Sequence, residues 1–249
     1  MSTDREWQAW GERDPYFGVL THPRFRRANL TPQSLEEFFQ TGRDELRDLI
    51  DDCRRHVGSV STRCTLEFGC GVGRLLIPAS ELAEVCVGVD VSDAMRAEAA
   101  RNCERFDRRN IQLVEALEEA AAINGRYTFI YSYIVLQHLD PSRGLDVIAA
   151  LLELLDSGGT AALHVTYGRS KYPATYGQQP LGRRLVRNIR RPLSRLRHRM
   201  GKRDPQMQMN AYDLNRVLFV IQAAGVRHCG LRLTDHGGYL GAVFCLKRD

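Results

Sequence analysis

The chain has 249 residues, 43% of them hydrophobic and 26% charged, which is ordinary for a globular protein and suits one α/β domain with additions better than two complete domains. No run approaches the ~18 consecutive apolar residues that cross a bilayer, and the polar opening MSTDREWQAWGERD does not read as a signal peptide. Seven cysteines without a C-x-x-C pair point to a reduced, cytoplasmic protein and away from a disulfide framework or zinc site.

The net charge of +5 is unevenly placed, since twelve of the 35 Lys and Arg residues lie between Gly168 and Arg203, a stretch with no acidic residue. In chain order, residues 4–30 carry both tryptophans, Trp7 and Trp10, and the run DPYFGVL, an aromatic density that implies packing onto something. Ser34 followed by Glu37 reads as a capping box opening the short helix SLEEFFQ, which Gly42 ends. A second helix runs from Arg43 to about Val57 with apolar residues at 46, 49, 50 and 53 on one face.

The stretch TLEFGCGVGRLLIP at 65–78 reads as strand, tight turn, helix. Gly69, Gly71 and Gly73 let the backbone turn sharply and approach a ligand with no Cβ in the way. The helix runs to about Glu84, and the apolar run VCVGVD then ends in Asp90, seventeen residues past Gly73. A carboxylate at the end of the second parallel strand is placed to accept hydrogen bonds from a ribose diol. Ser92 caps a helix running to Phe106, and strands follow at 111–114 and 127–132. Asp140 and Pro141 open a helix to about Leu155, and a DSGG turn leads into the strand TAALHVTY.

Residues 168–210 are too long for a simple crossover loop. Leu181, Leu185, Ile189, Leu193, Leu196 and Met200 recur at helical spacing among arginines, with Pro192 dividing two basic amphipathic helices. Three readings compete: a solvated lid over the substrate, a contact for phosphate-bearing or acidic partners, and a peripheral membrane-surface helix over 181–203. A nucleic-acid track is disfavoured because no base-stacking residue is interleaved with the arginines. The chain closes with a helix at 211–224, a strand at 226–233, the turn TDHGG and a strand at 239–246, the last two strands reading as a hairpin.

The order E-x-G-x-G-x-G, from Glu67 to Gly73, differs from the G-x-G-x-x-G of nicotinamide and flavin sites, although a structural glycine turn or a nicotinamide site are the competing readings. It resembles motif I of the class I S-adenosylmethionine-dependent methyltransferases, with Asp90 in the place of the motif II acid; the likeness covers about residues 60–165 and, more weakly, 211–246. The resemblance implies a Rossmann-like α/β sheet of seven strands, mostly parallel with an antiparallel last strand and helices on both faces. It divides the chain into an N-terminal helical lid (1–57), a cofactor-binding core (58–166), the basic insertion as substrate lid (167–210) and a C-terminal completion of the core (211–249). S-adenosylmethionine is then the cofactor, with Glu67 facing its ammonium, Gly69, Cys70, Gly71 and Gly73 its cradle, and Asp90 and Val91 its ribose and adenine. Leu117, Ser132 and Gln137 complete that wall, Met95 touches the adenine or the core, and Glu115 or Glu118 reaches the adenine amino group. Tyr16 and Phe17 are lid candidates or simply seal the sheet edge, and Arg43 either faces the cofactor carboxylate or is a surface arginine, the reading favoured for it. The acid common near the start of strand four in this family is Thr128 here.

Methyl transfer from a sulfonium depends mainly on alignment, and a hydroxyl acceptor must also lose a proton, a task suited to histidine. His138 after strand four, and His236 beside Asp235 in the last turn, are the candidate catalytic residues, each weighed against a purely structural role, and His164 inside strand five reads as core. No spacing argues for a metal. The leading expectation is O-methylation of a small polar or sugar-containing metabolite. The alternatives are an N-methyltransferase of an amino sugar or small amine, and a nucleic-acid-binding methyltransferase or module. Oligomeric state stays open.

Overall fold

The structure, a computed structural model, describes residues 3–179 and 204–249. The expected insertion helices over 181–203 therefore lie outside the described residues. Seven strands form one sheet in the order β3-β2-β1-β4-β5-β7-β6: β1 (Cys64–Phe68), β2 (Val85–Val89), β3 (Ile111–Val114), β4 (Tyr127–Ser132), β5 (Leu155–Arg169), β6 (His228–Asp235) and β7 (Tyr239–Lys247). The first five pair in parallel, and β7 runs antiparallel to both β5 and β6, which leaves β6 aligned with the first five. The register Phe68↔Val89↔Val114 brings the carboxyl ends of β1, β2 and β3 to one edge. The chain reverses its winding direction between β1 and β4, and in open α/β sheets that reversal opens a crevice at this edge.

Side-chain alternation along the strands feeds two cores. Ile130 packs with Leu145, Ile148 and Leu152 of α7 (Pro141–Glu153) and with Val217 and Ile221 of α8 (Leu214–Ala223). Its neighbours Phe129 and Tyr131 point the other way, onto Leu46, Leu49, Ile50 and Cys53 of α3 (Pro32–Val57). A third cluster joins Trp10 of α1 (Thr3–Arg13) and Tyr16 and Phe17 of α2 (Pro15–Val19) to Phe38, Phe39, Val72 and Met95. The aromatic run of the first thirty residues thus seals one end of the sheet.

Several boundaries differ from the sequence reading. The two expected helices before β1 are one, and its capping box is formed by Thr31 and Ser34 rather than Ser34 and Glu37. Gly42 does not terminate it; a Cβ there would lie 1.9 Å from the Arg74 carbonyl oxygen, so glycine is required for the backbone approach. The helix after the glycine turn, α4, is only Leu76–Ser80. The helices α5 (Asp93–Arg105) and α6 (Leu117–Ile123) follow β2 and β3, and Ser92 caps α5 by accepting from the Met95 N–H. Strand β5 continues past Tyr167 to Arg169, paired with Tyr239. No helix among the described residues is long and apolar enough to cross a membrane.

Replacing Gly42 with Ala forces a methyl group into the Arg74 carbonyl, and overpacking of this kind costs about 1–3 kcal/mol. The denaturant midpoint of the Gly42→Ala variant should fall accordingly with an unchanged slope.

Candidate functional site

A cavity of about 990 Å³ opens at the carboxyl edge of β1, β2 and β4, near the upper end of the usual ~300–1,000 Å³ range for small-molecule sites. Its floor is the glycine turn. Gly69, Gly71 and Gly73 have φ of 78°, 53° and 87°, the left-handed region that favours glycine. A Cβ on Gly69 would meet Val135 Cγ1 at 2.4 Å, and one on Gly71 would meet Val19 Cγ2 at 2.7 Å. The first two glycines therefore admit the loop after β4 and the last residue of α2 as well as a ligand. Gly73 lies behind the wall and closes the turn through its N–H to the Cys70 carbonyl, 2.9 Å.

Asp90 binds this turn to the next strand. Its Oδ2 accepts from the Gly71 N–H and its Oδ1 from the Ser92 N–H, each at 2.9 Å. Burial raises its pKa, and the two backbone N–H groups and Arg96 oppose that rise. Each oxygen retains a second lone pair for a ligand hydroxyl. Glu67, at the end of β1, is 5% exposed and accepts from the Tyr131 hydroxyl at 3.3 Å. Burial holds its carboxyl well above the usual range, partly offset by Arg74.

Cys70, Val91, Met95, Glu115, Ala116, Leu117, Glu118 and Gln137 all lie on the cavity wall, with Val91 and Leu117 following β2 and opening α6. Glu115 is tied to Arg96 at 3.3 Å, while the Gln137 side-chain oxygen is buried with no hydrogen-bond partner among the described residues. Ser132 is not on the wall: its hydroxyl donates to the Phe68 carbonyl at 2.9 Å and fastens β4 to β1. Thr128 sits at the opposite end of β4, bonded to the backbone of Cys64.

The candidate catalytic residues separate. His138 is 7% exposed, with Nδ1 at 2.6 Å from the Gln208 carbonyl; its ring also faces the Ile134 carbonyl, and burial lowers its pKa. Trp7 meets the ring edge-on, centroids 4.8 Å apart. His138 lines the cavity, and its Nδ1 ties the loop after β4 to the returning segment at Gln208. It also braces a strained link, since Ile134 is a β-branched residue at φ 58°. Asp235 accepts from the Gly238 N–H at 2.6 Å and holds its turn rather than the cavity wall.

His236 also lines the cavity, at its exposed mouth. Its Nε2 is 3.4 Å from the hydroxyl of Tyr133, which is buried in the same wall. Burial lowers the His236 pKa, with Glu45 pulling the other way. Glu45 and Arg232 lie near the Tyr133 hydroxyl and act on it in opposite directions, Glu45 raising its pKa and Arg232 lowering it, and Arg232 is ion-paired to Asp52. Behind this group His164 is fully buried, its Nε2 at 2.9 Å from the Thr234 hydroxyl and its ring 5.2 Å from that of His236.

For Tyr16, Phe17 and Arg43 the structure takes the structural alternative rather than the cofactor-facing one. Tyr16 is buried with its hydroxyl on Glu98, 2.6 Å, and Asn102, 2.9 Å. Phe17 lies under the Arg26 guanidinium, 3.4 Å from its centroid. Trp7, Val19 and Leu20 from the same segment line the cavity instead. Arg43 points away and pairs with Glu81 at 2.7 Å, while Arg74, directly after the last glycine, is 7% exposed and lines the wall. Sequence reasoning missed Arg74 and Tyr133, whose one signal is position, immediately after the glycine turn and immediately after β4. It also missed Met207 and Met209, which return over the mouth on a segment held by the Asn210 N–H to the Gln137 carbonyl, 2.8 Å. Among the described residues no group of three or more His, Cys, Asp or Glu is arranged to hold a metal.

Burial, with His236 and Arg232 adding to it, pushes His164 from 6.5 down to about 3. A depressed folded-state pKa means that the unfolded chain takes up the proton first, so the contribution is present above about pH 6.5 and is lost as the pH falls towards 3. Stability should drop by about 2 kcal/mol between about pH 7 and about pH 5 from this group. The difference between wild type and His164→Asn in thermal melts across that range measures it.

A family model described as a methyltransferase domain matches residues 66–161. No curated protein matches the chain. The fold is similar to that of magnesium protoporphyrin IX methyltransferase from Synechocystis PCC 6803, solved with bound S-adenosylhomocysteine, at a TM-score of 0.58 and 18% identity over 96% of this chain and 98% of that one. It is also similar to an O-methyltransferase family protein from Burkholderia thailandensis, at 0.55 and 12% identity over 98% of this chain and 68% of the other.

Proposed function

We infer that this chain, with its methyltransferase domain at residues 66–161, is a class I S-adenosylmethionine-dependent methyltransferase, and from that premise propose that it O-methylates a small hydroxyl-bearing molecule. The observation that carries the cofactor reading is the half-buried Asp90 carboxylate, fixed against the glycine turn by the Gly71 N–H. A ribose diol on that carboxylate sets an adenine between Val91 and Leu117 and an amino-acid end towards Glu67, all residues of one wall. S-adenosylmethionine, when bound, supplies an electrophilic methyl group on sulfur.

The residues left beyond that footprint describe the acceptor. Leu20, Met207 and Met209 offer an apolar surface, and Tyr133 and His236 a polar corner. This wall favours a hydroxyl carried on a partly apolar body over the small polar or sugar-containing acceptor expected from sequence. The Tyr133 hydroxyl holds one proton and faces His236 Nε2, with Glu45 near it. As the acceptor oxygen takes the methyl group, Tyr133 accepts its proton and passes its own to Nε2. The imidazolium then forms at the exposed mouth, where Glu45 offsets its charge and water removes the proton. Burial holds Tyr133 well above its ordinary pKa, so it stays neutral throughout this exchange.

Calorimetry should detect uptake of S-adenosylhomocysteine by the wild type and at least a roughly tenfold loss in Asp90→Ala, the scale of a lost charged hydrogen bond; no uptake by well-folded wild type overturns the reading. With radiolabelled methyl donor and an extract of small metabolites, His236→Asn should lower transfer by about 10²–10⁴-fold while keeping cofactor affinity. The acid limb of the rate profile should lie below the ordinary histidine range, because His236 must be neutral and its pKa is lowered. Undiminished transfer in that variant would point to an amine acceptor, which needs no protein base.

A further inference from the structure

We propose that the free edge of β6 is a pairing surface for a second copy of this chain, joined antiparallel about a two-fold axis that passes through Leu231 normal to the sheet. β6 closes the sheet and pairs with β7 alone, so its other row of backbone N–H and C=O groups meets no strand among the described residues. An edge of this kind is a template for another chain unless charge, proline, a bulge or a covering element blunts it. The eight residues HCGLRLTD contain no proline, and their pairing with β7 runs without a bulge. The two faces of the strand differ. Gly230 lies against His56 and Arg232 is ion-paired to Asp52, so the even positions are covered by α3. The odd positions stand across β7 from Ala242, Phe244 and Leu246, members of the core shared with α7 and α8. Yet Cys229, Leu231 and Leu233 are exposed, the two leucines by 38% and 65%. A sheet face left to water ordinarily turns polar residues outward; three successive apolar positions on an open edge mark an interaction surface.

The order of residues makes this strand its own complement. With Leu231 opposite Leu231, Cys229 stands opposite Leu233, and Arg227, just before the strand, stands opposite Asp235 at its end. The apolar row then continues across the join and is closed at both ends by opposite charges, and two-fold symmetry makes each of these contacts twice. Arg227 and Asp235 are both exposed, and Arg227 forms no ion pair among the described residues. On the α3 side the same register sets His228 opposite Thr234 and Gly230 opposite Arg232, so no like charges are opposed. Other registers lose the match. A shift of one residue turns the apolar row against the α3 face, and the two nearest in-phase registers set Asp235 against Cys229 in one and Arg227 against Leu233 in the other.

Sedimentation equilibrium of the full chain should give a dimer that dissociates on dilution. Leu231→Lys, which sets two ammonium groups face to face at the axis, should sediment as a monomer at the same concentration with an unchanged circular-dichroism spectrum. Cross-linking reads the register. Diamide, which takes two hydrogens from a pair of thiols and leaves a disulfide, should link Leu233→Cys covalently to Cys229 of the second copy. It should link neither the wild type, whose two Cys229 residues would lie roughly 13 Å apart along the paired strands at the usual rise, nor Leu233→Cys combined with Cys229→Ser. A monomer at every concentration overturns the proposal, as does a dimer that survives Leu231→Lys or an open-ended series of larger species. A Leu233→Cys chain that dimerises without being linked overturns it too, and that result stands even if Leu231→Lys fails to fold.

Discussion

The bond from the Gly71 N–H to the Asp90 carboxylate holds the site together. It spans two strands that are neighbours in the sheet and fixes a left-handed turn that no residue but glycine adopts cheaply. With the turn in place, Val135 and Val19 can close on Gly69 and Gly71, and the walls of the cavity follow from those two approaches. The carboxylate that orders the turn is, on the proposed function, also the group offered to a ribose, so that one side chain would serve both folding and recognition.

Much of this was legible in the residues. The apolar run ending in alternating glycines, and the second run ending seventeen residues later in an acid, give strand, turn and strand through local preferences alone. Ser92 and the β6–β7 hairpin were readable for the same reason, since caps and tight turns depend on a few adjacent side chains. The order of the strands was not: it came from family likeness, because parallel pairing joins segments distant in the chain.

The misreadings share one physical cause. Gly42 looks like a helix stop, since glycine commonly ends helices, yet it is conformationally ordinary here and needed only because another backbone passes close by. Tyr16 and Phe17 look like a lid because aromatics near a charged ligand are attractive; burial against Phe38 and Arg26 claims them instead. Arg43 and Arg74 are indistinguishable as letters, and only the tertiary fold turns one to a surface carboxylate and the other inward. His138 and His236 likewise differ only in what their ring nitrogens meet.

Helix α3 is 26 residues long, about 39 Å at the usual rise, and its inner face is used repeatedly. Gly42 rests on the Arg74 carbonyl, Glu45 lies near the Tyr133 hydroxyl, Asp52 holds Arg232, and His56 lies against Gly230 at the sheet margin. Gly42 and Glu45 are less than one turn apart on a rigid rod, so the two halves of the crevice share a single girder. Were a ligand on one side to shift that girder, thermodynamic reciprocity would require the influence to run both ways.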